Sequence, residues 1–212
     1  MQNSINPSTR VKICGITTVN DAQWISASGV NAIGLVFYKK SPRYVSVQQA
    51  IDICTVISPF ISVVGLFVNA SEDEVNQVLD AVPIDLLQFH GAESASYCAN
   101  FSRPYIKAVP MQGLTNFSAY ADQYPEAKGF LVDSHAPDTV GGTGTTFDWT
   151  KIPQQYHKPI ILAGGLRPEN IAIAITTTNV YAVDVSSGVE SSAGKKDKQK
   201  VKQFMQEVSR AI

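Results

Sequence analysis

The chain has 212 residues, and its 17 Lys and Arg against 18 Asp and Glu give a formal net charge of -1, without the basic footprint expected of a nucleic-acid binder. That length suits one α/β domain with a sizeable core and argues against a second folded domain. Cys14, Cys54 and Cys98 are odd in number, far apart and in no Cys-x-x-Cys pair, which argues against a disulfide framework or a zinc site and fits a reducing cytoplasm.

Met1 to Thr9 are polar and carry no signal-like apolar stretch, so they read as a short flexible extension ahead of a domain spanning 10–212. No apolar run approaches the roughly 20 residues needed to cross a bilayer. The first strand is Val11–Cys14, followed by a helix opening at Asp21. Ala32–Phe37 comes next, then a helix opening at Ser46 and ending near Ile57. Ser62–Val68 leads to Ser71-Glu72-Asp73-Glu74, which has the pattern of a capping box. Leu86–Phe89 precedes a helix over 93–100, Tyr105–Val109 one over 115–123, and Gly129–Val132 a less regular stretch over 145–155 that Pro153 interrupts. Ile160–Ala163 leads to a helix opened by Pro168-Glu169-Asn170, and Ala182–Val185 to a closing helix over 195–212.

These runs are apolar throughout rather than alternating, as parallel strands covered on both faces must be. Eight of them, alternating with helices, predict a single-domain α/β fold, the (β/α)8 TIM barrel. A doubly wound open sheet is the alternative, but no Gly-x-Gly-x-x-Gly follows the first strand.

In such a barrel the carboxyl ends of the strands face one pit. Lys12 and Cys14 leave the first strand, Arg43 follows the second, Asn69 the third, Gln88 and His90 the fourth, Asp133 the sixth, and Asp184 and Ser186 the eighth. Residues two apart on a strand share a face, so Lys12 lies beside Cys14 and is expected to draw its thiol toward a thiolate base. Asp133, five strands on, is expected across the barrel, where desolvation would keep it protonated as an acid. Gly142-Thr143-Gly144, Gly164-Gly165 and Ser187-Gly188 end strands in small residues whose main-chain N–H groups suit a phosphate. No cluster has metal-ligand spacing, and His135 and His157 read as surface residues.

In this order the motifs are similar to those of the phosphoribosylanthranilate isomerase family, nearly end to end. They are Lys12-Ile13-Cys14-Gly15-Ile16-Thr17, Ser41-Pro42-Arg43-Tyr44-Val45, Gln88-Phe89-His90-Gly91, Val132-Asp133-Ser134, Gly141-Gly142-Thr143-Gly144, Ala163-Gly164-Gly165-Leu166, and Asp184-Val185-Ser186-Ser187-Gly188-Val189-Glu190. The resemblance implies a (β/α)8 isomerase of tryptophan biosynthesis, with Cys14 as general base, Asp133 as general acid and Arg43 on the anthranilate carboxylate. It places Lys12, His90 and Asp184 in the substrate site and the three late loops around the phosphate. It implies a small phosphosugar substrate, no metal or other cofactor, no nucleic-acid or membrane partner, and a monomer or homodimer in the cytoplasm. Where the family commonly has a proline before the last loop's glycine, Ala193 stands here. Neighbouring phosphosugar barrels, the indole-glycerol-phosphate synthase and histidine-pathway isomerase kinds, share the phosphate loops but not a cysteine at the first strand end. A non-catalytic phosphosugar binder would have lost Cys14 and Asp133.

Overall fold

The computed structural model describes residues 9–134 and 147–211. Eight parallel strands close into a barrel in chain order: β1 (Arg10–Cys14), β2 (Ala32–Val36), β3 (Ser62–Phe67), β4 (Leu86–Phe89), β5 (Tyr105–Pro110), β6 (Phe130–Asp133), β7 (Ile160–Leu162) and β8 (Ala182–Val185), with β8 back beside β1. All eight expected strands are present, within two residues of the predicted ends. The open-sheet alternative is excluded by closure. Because β6 reaches β1 by way of β7 and β8, Asp133 stands three strands from Cys14 by the short route. This corrects the expectation of a position straight across, which in an eight-membered ring belongs to β5.

Side-chain alternation divides the core in two. Ile13, Leu35, Phe67, Phe89, Phe130 and Leu162 point outward into the layer between strands and helices, where they are almost wholly buried. Ile106, Ala108, Leu131, Ile161, Ala163 and Ala182 point inward and fill the barrel. Cys14, Val36 and Leu66 form a smaller inward cluster, so the thiol stands in an apolar wall.

The helices are short, and their starts follow capping chemistry. The first, α1 (Val19–Ser26), begins before the predicted Asp21, because Thr18 is the cap and accepts from the Asp21 amide at 3.1 Å. Helices α2 (Val47–Cys54) and α3 (Glu72–Ala81) carry full capping boxes: Ser71 with Glu74, as the sequence predicts, and Ser46 with Gln49 at the predicted helix start. Next come α4 (Ala95–Cys98) and α5 (Phe117–Ala121), one turn each, then a single 3-10 turn at Trp149–Lys151 and α6 (Ile171–Thr178). The closing helix expected over 195–212 is α7 (Lys198–Arg210), capped by Asp197; its first two expected residues instead form β10 (Lys195–Lys196), the second arm of an antiparallel hairpin with β9 (Glu190–Ser192). Among the described residues no helix is long and apolar enough to cross a membrane.

Candidate active site at the barrel mouth

Strands β1 and β8 build one side of the mouth. Their register sets Lys12 opposite Asp184, and the ammonium donates to Asp184 Oδ1 at 2.9 Å with both side chains buried. Cys14 shares that face, and Gly34 on β2 makes room for it. A Cβ at Gly34 would stand 2.7 Å from Cys14 Sγ and 3.1 Å from Lys12 Nζ. Burial works to lower the Lys12 pKa, but Asp184 and Cys14 outweigh it and raise the value, so Lys12 stays charged.

The thiol departs from the expectation of an acidified cysteine. Burial is the largest influence on Cys14 and raises its pKa; Asp184 adds to that, and Lys12 and Lys196 only partly offset it. Lys12 shares its charge with a carboxylate at hydrogen-bond distance, so its pull on the thiol is diluted.

Arg43, in the loop after β2, is held from behind. Its Nε and Nη2 donate to the two oxygens of Glu190 at 2.8 Å each, and Glu190 also accepts from Lys196 Nζ at 2.7 Å. Gly15, at φ +75, passes so close that a Cβ would stand 2.5 Å from Arg43 Cδ. Neither Glu190 nor Lys196 was among the site residues expected from sequence. By sequence Lys195-Lys196 opens the closing helix, and only the hairpin turns Lys196 into the interior. Burial raises the Glu190 pKa, but Arg43 and Lys196 overcome it, and the value ends below the usual glutamate range. Stability from this group is therefore present above the unfolded-chain pKa of about 4.3 and is lost as the pH falls through the lower folded value. Thermal melts from pH 5 downward should show the parent losing its advantage over Glu190→Gln. A difference that stays constant across that range would mean the glutamate is not held as an anion.

Strands β4 and β6 supply the other side. Gln88 Nε2 donates to His90 Nδ1 at 2.9 Å, so a neutral ring carries its proton on Nε2, which stands 3.5 Å from Asp133 Oδ2. Asp133 Oδ1 accepts from the Ser134 amide at 2.6 Å. Both carboxylate oxygens are thus oriented by neighbours.

The ends of β6, β7 and β8 meet through glycines. Gly164 (φ +82) and Gly165 (φ +65) are both left-handed, and a Cβ on Gly164 would stand 2.6 Å from the Ser134 nitrogen. A Cβ on Gly188 would run into the Leu166 carbonyl oxygen. Gly142, Thr143 and Gly144 lie outside the described residues. Cys14, Arg43, His90, Asp133 and Asp184 line one cleft, and Gly164, Gly165 and Ser187 form part of the same wall; Gly188 does not line it. Among the described residues no group of three or more His, Cys, Asp or Glu could hold a metal ion.

A closed parallel barrel with a thiol, two aspartates, an arginine and glycine-rich late loops around one cleft defines a (β/α)8 barrel of the phosphosugar-handling class. Residues 11–207 match the family model described as N-(5'phosphoribosyl)anthranilate (PRA) isomerase. A relative named N-(5'-phosphoribosyl)anthranilate isomerase from Pseudomonas fluorescens is 54% identical over 205 residues, covering 97% of this chain and 98% of its own. The crystal structure of phosphoribosyl anthranilate isomerase from Thermotoga maritima superposes with a TM-score of 0.85 at 38% identity, over 95% of this chain and 99% of that one. A phosphoribosyl anthranilate isomerase solved in complex with reduced 1-(o-carboxyphenylamino)-1-deoxyribulose 5-phosphate superposes with a TM-score of 0.83 at 37% identity, over the same shares. The chain belongs to the N-(5'-phosphoribosyl)anthranilate isomerase family.

Proposed function

We propose that this mouth carries out the family's reaction, the isomerisation of N-(5'-phosphoribosyl)anthranilate to 1-(2-carboxyphenylamino)-1-deoxyribulose 5-phosphate in tryptophan biosynthesis, with Cys14 as general base and Asp133 as general acid. The observation that carries the reading is a thiol and a carboxyl group on β1 and β6, lining one cleft with a glycine-rich wall between them at the ends of β7 and β8. Asp133 gives a proton to the furanose ring oxygen, the C1–O bond breaks, and the sugar opens to an iminium. The iminium acidifies the C2 hydrogen, which the Cys14 thiolate removes to give the enolamine. Proton return to carbon then yields the ketone. Every step moves a proton within one substrate, so the chemistry calls for no redox or metal cofactor.

His90 and Asp184 hold the acid and the base side of the site, and Lys12 keeps positive charge beside the thiol. The phosphate rests on main-chain N–H groups of Gly164-Gly165 and Ser187-Gly188, the anion-binding use of glycine turns. Three unpaired cysteines, one of them the base, favour a reducing compartment, the cytoplasm.

Arg43 is the candidate for the anthranilate carboxylate. Glu190 takes the Nε and Nη2 edge, so the substrate would use the edge that includes Nη1. A lysine offers no second parallel bond and cannot satisfy Glu190 and substrate together. Arg43→Lys should raise KM by about ten- to a hundred-fold, the range for losing a charge-assisted hydrogen bond, with a smaller change in kcat. The direct test follows the loss of phosphoribosylanthranilate fluorescence with the purified chain. No turnover by the parent would refute the assigned reaction, and parental kinetics in Arg43→Lys would move the carboxylate elsewhere.

A further inference from the structure

Behind the mouth lies an ion pair that the reaction does not use. Lys107 on β5 has no exposed surface, and its register neighbours Phe89 and Phe130 lie in the layer between strands and helices. Its Nζ donates to the Phe89 carbonyl at 3.3 Å, the Gly91 carbonyl at 2.6 Å and Glu93 Oε2 at 3.1 Å. Glu93, itself buried, accepts from the Asn69 amide at 2.9 Å and from the Gly91 amide at 2.9 Å. Asn69 Oδ1 accepts from the Ala92 amide at 2.8 Å, and the Tyr124 hydroxyl donates to the Glu93 carbonyl at 2.9 Å.

A buried pair of this kind adds little that a well-packed apolar pair would not, because desolvation offsets most of its attraction. What it adds is direction. Two of the ammonium donors take up the carbonyls of residues 89 and 91, the third binds the Glu93 carboxylate, and that carboxylate takes up the amide of residue 91, so main-chain groups on either side of residue 90 are held. The backbone of residue 90 is then fixed at both ends, and its amide is also bound to the Phe67 carbonyl at 2.9 Å. His90 projects from that turn with Nε2 3.5 Å from Asp133 Oδ2.

We propose that Glu93 and Lys107 are positioning residues: the buried pair sets the 89–93 turn so that His90 orients Asp133 for proton delivery to the substrate. The proposal rests on the reading of Asp133 as the acid. It assigns the pair a part in turnover over and above any part in stability.

A double-mutant cycle tests it. Glu93→Gln alone leaves a buried ammonium without its partner and destabilises the fold, so Glu93→Gln/Lys107→Met, which removes both charges, is made beside it. Folded protein is verified by near-UV circular dichroism. The paired variant should lower kcat by about ten-fold, within the coupling expected of side chains in one network, with KM within about two-fold of parent. In a His90→Asn background the same pair of substitutions should change kcat by less than about two-fold, because the group it positions is gone. The His90 ring nitrogen resonances in 15N-labelled protein should also shift in the paired variant without substrate. Equal losses of kcat in both backgrounds, or a rise in KM with unmoved ring resonances, would overturn the proposal. Failure of the reaction assignment itself looks different: the parent would then be inactive and Asp133→Asn without further effect.

Discussion

Cys14→Ser should lose about a hundred- to ten-thousand-fold in kcat, the range for removing a general base, while the fold stays intact. Serine fills the same space on β1, beside Lys12 and under Gly34, so packing is little disturbed. Its hydroxyl is far harder to ionise than a thiol, and no positive charge in the mouth is free enough to compensate, since Lys12 already faces Asp184 at 2.9 Å. The same network gives the parent's pH dependence a sign. Burial raises the Cys14 pKa, and the base acts as the thiolate, so kcat/KM should climb with pH toward the alkaline side. In the same profile Lys12→Met should move the climb to still higher pH, because it removes the largest influence lowering the thiol's pKa. Cys54→Ser and Cys98→Ser, on helices away from the cleft, serve as controls. Near-parental turnover in Cys14→Ser, or a profile flat across the thiol range, would remove Cys14 from the mechanism.

Asp133→Asn should lower kcat by at least about a hundred-fold with melting temperature and substrate affinity close to parent. Asparagine keeps the shape and can still accept from the Ser134 amide through its carbonyl oxygen, the bond that orients Asp133 at 2.6 Å. What it lacks is a transferable proton for the ring oxygen. Steady-state kinetics with a thermal melt decides the matter. A folded variant with parental kcat would show that ring opening needs no acid at this position, and Asp184 on β8 would become the group to test. The two substitutions also stop the reaction at different points: Cys14→Ser should still open the sugar but leave its C2 hydrogen unexchanged with solvent, whereas Asp133→Asn should be blocked before the sugar opens.

The strands and the shared face of Lys12 and Cys14 were legible in the sequence because both depend on short-range pattern. Eight apolar runs had to be covered on both faces, so they paired in parallel and closed; period-two alternation then put Lys12 and Cys14 on one face. The helix start at Ser46 and the capping box at Ser71 likewise needed only a few neighbouring residues each. The cap at Thr18 was missed because Asp21, three residues on, is itself a good capping residue, and only the direction of the hydrogen bond tells the two apart.

What the tertiary structure alone decided is how charge is shared. Lys12 next to Cys14 predicts an acidified thiol, but β8 brings Asp184 from 172 residues away to the same ammonium, and burial then wins. Arg43 in its loop looks unpartnered until the hairpin after β8 returns Glu190 and Lys196 to it, and Lys195-Lys196 gives no sign that its second member is buried. Glu93 and Lys107 are fourteen residues apart, on a helix start and a strand by sequence pattern, and meet only because β4 and β5 are neighbours. Electrostatic energies depend on distances and burial that many segments set together. Local pattern fixes which face a side chain takes, while the closing of the barrel fixes which charges it must face.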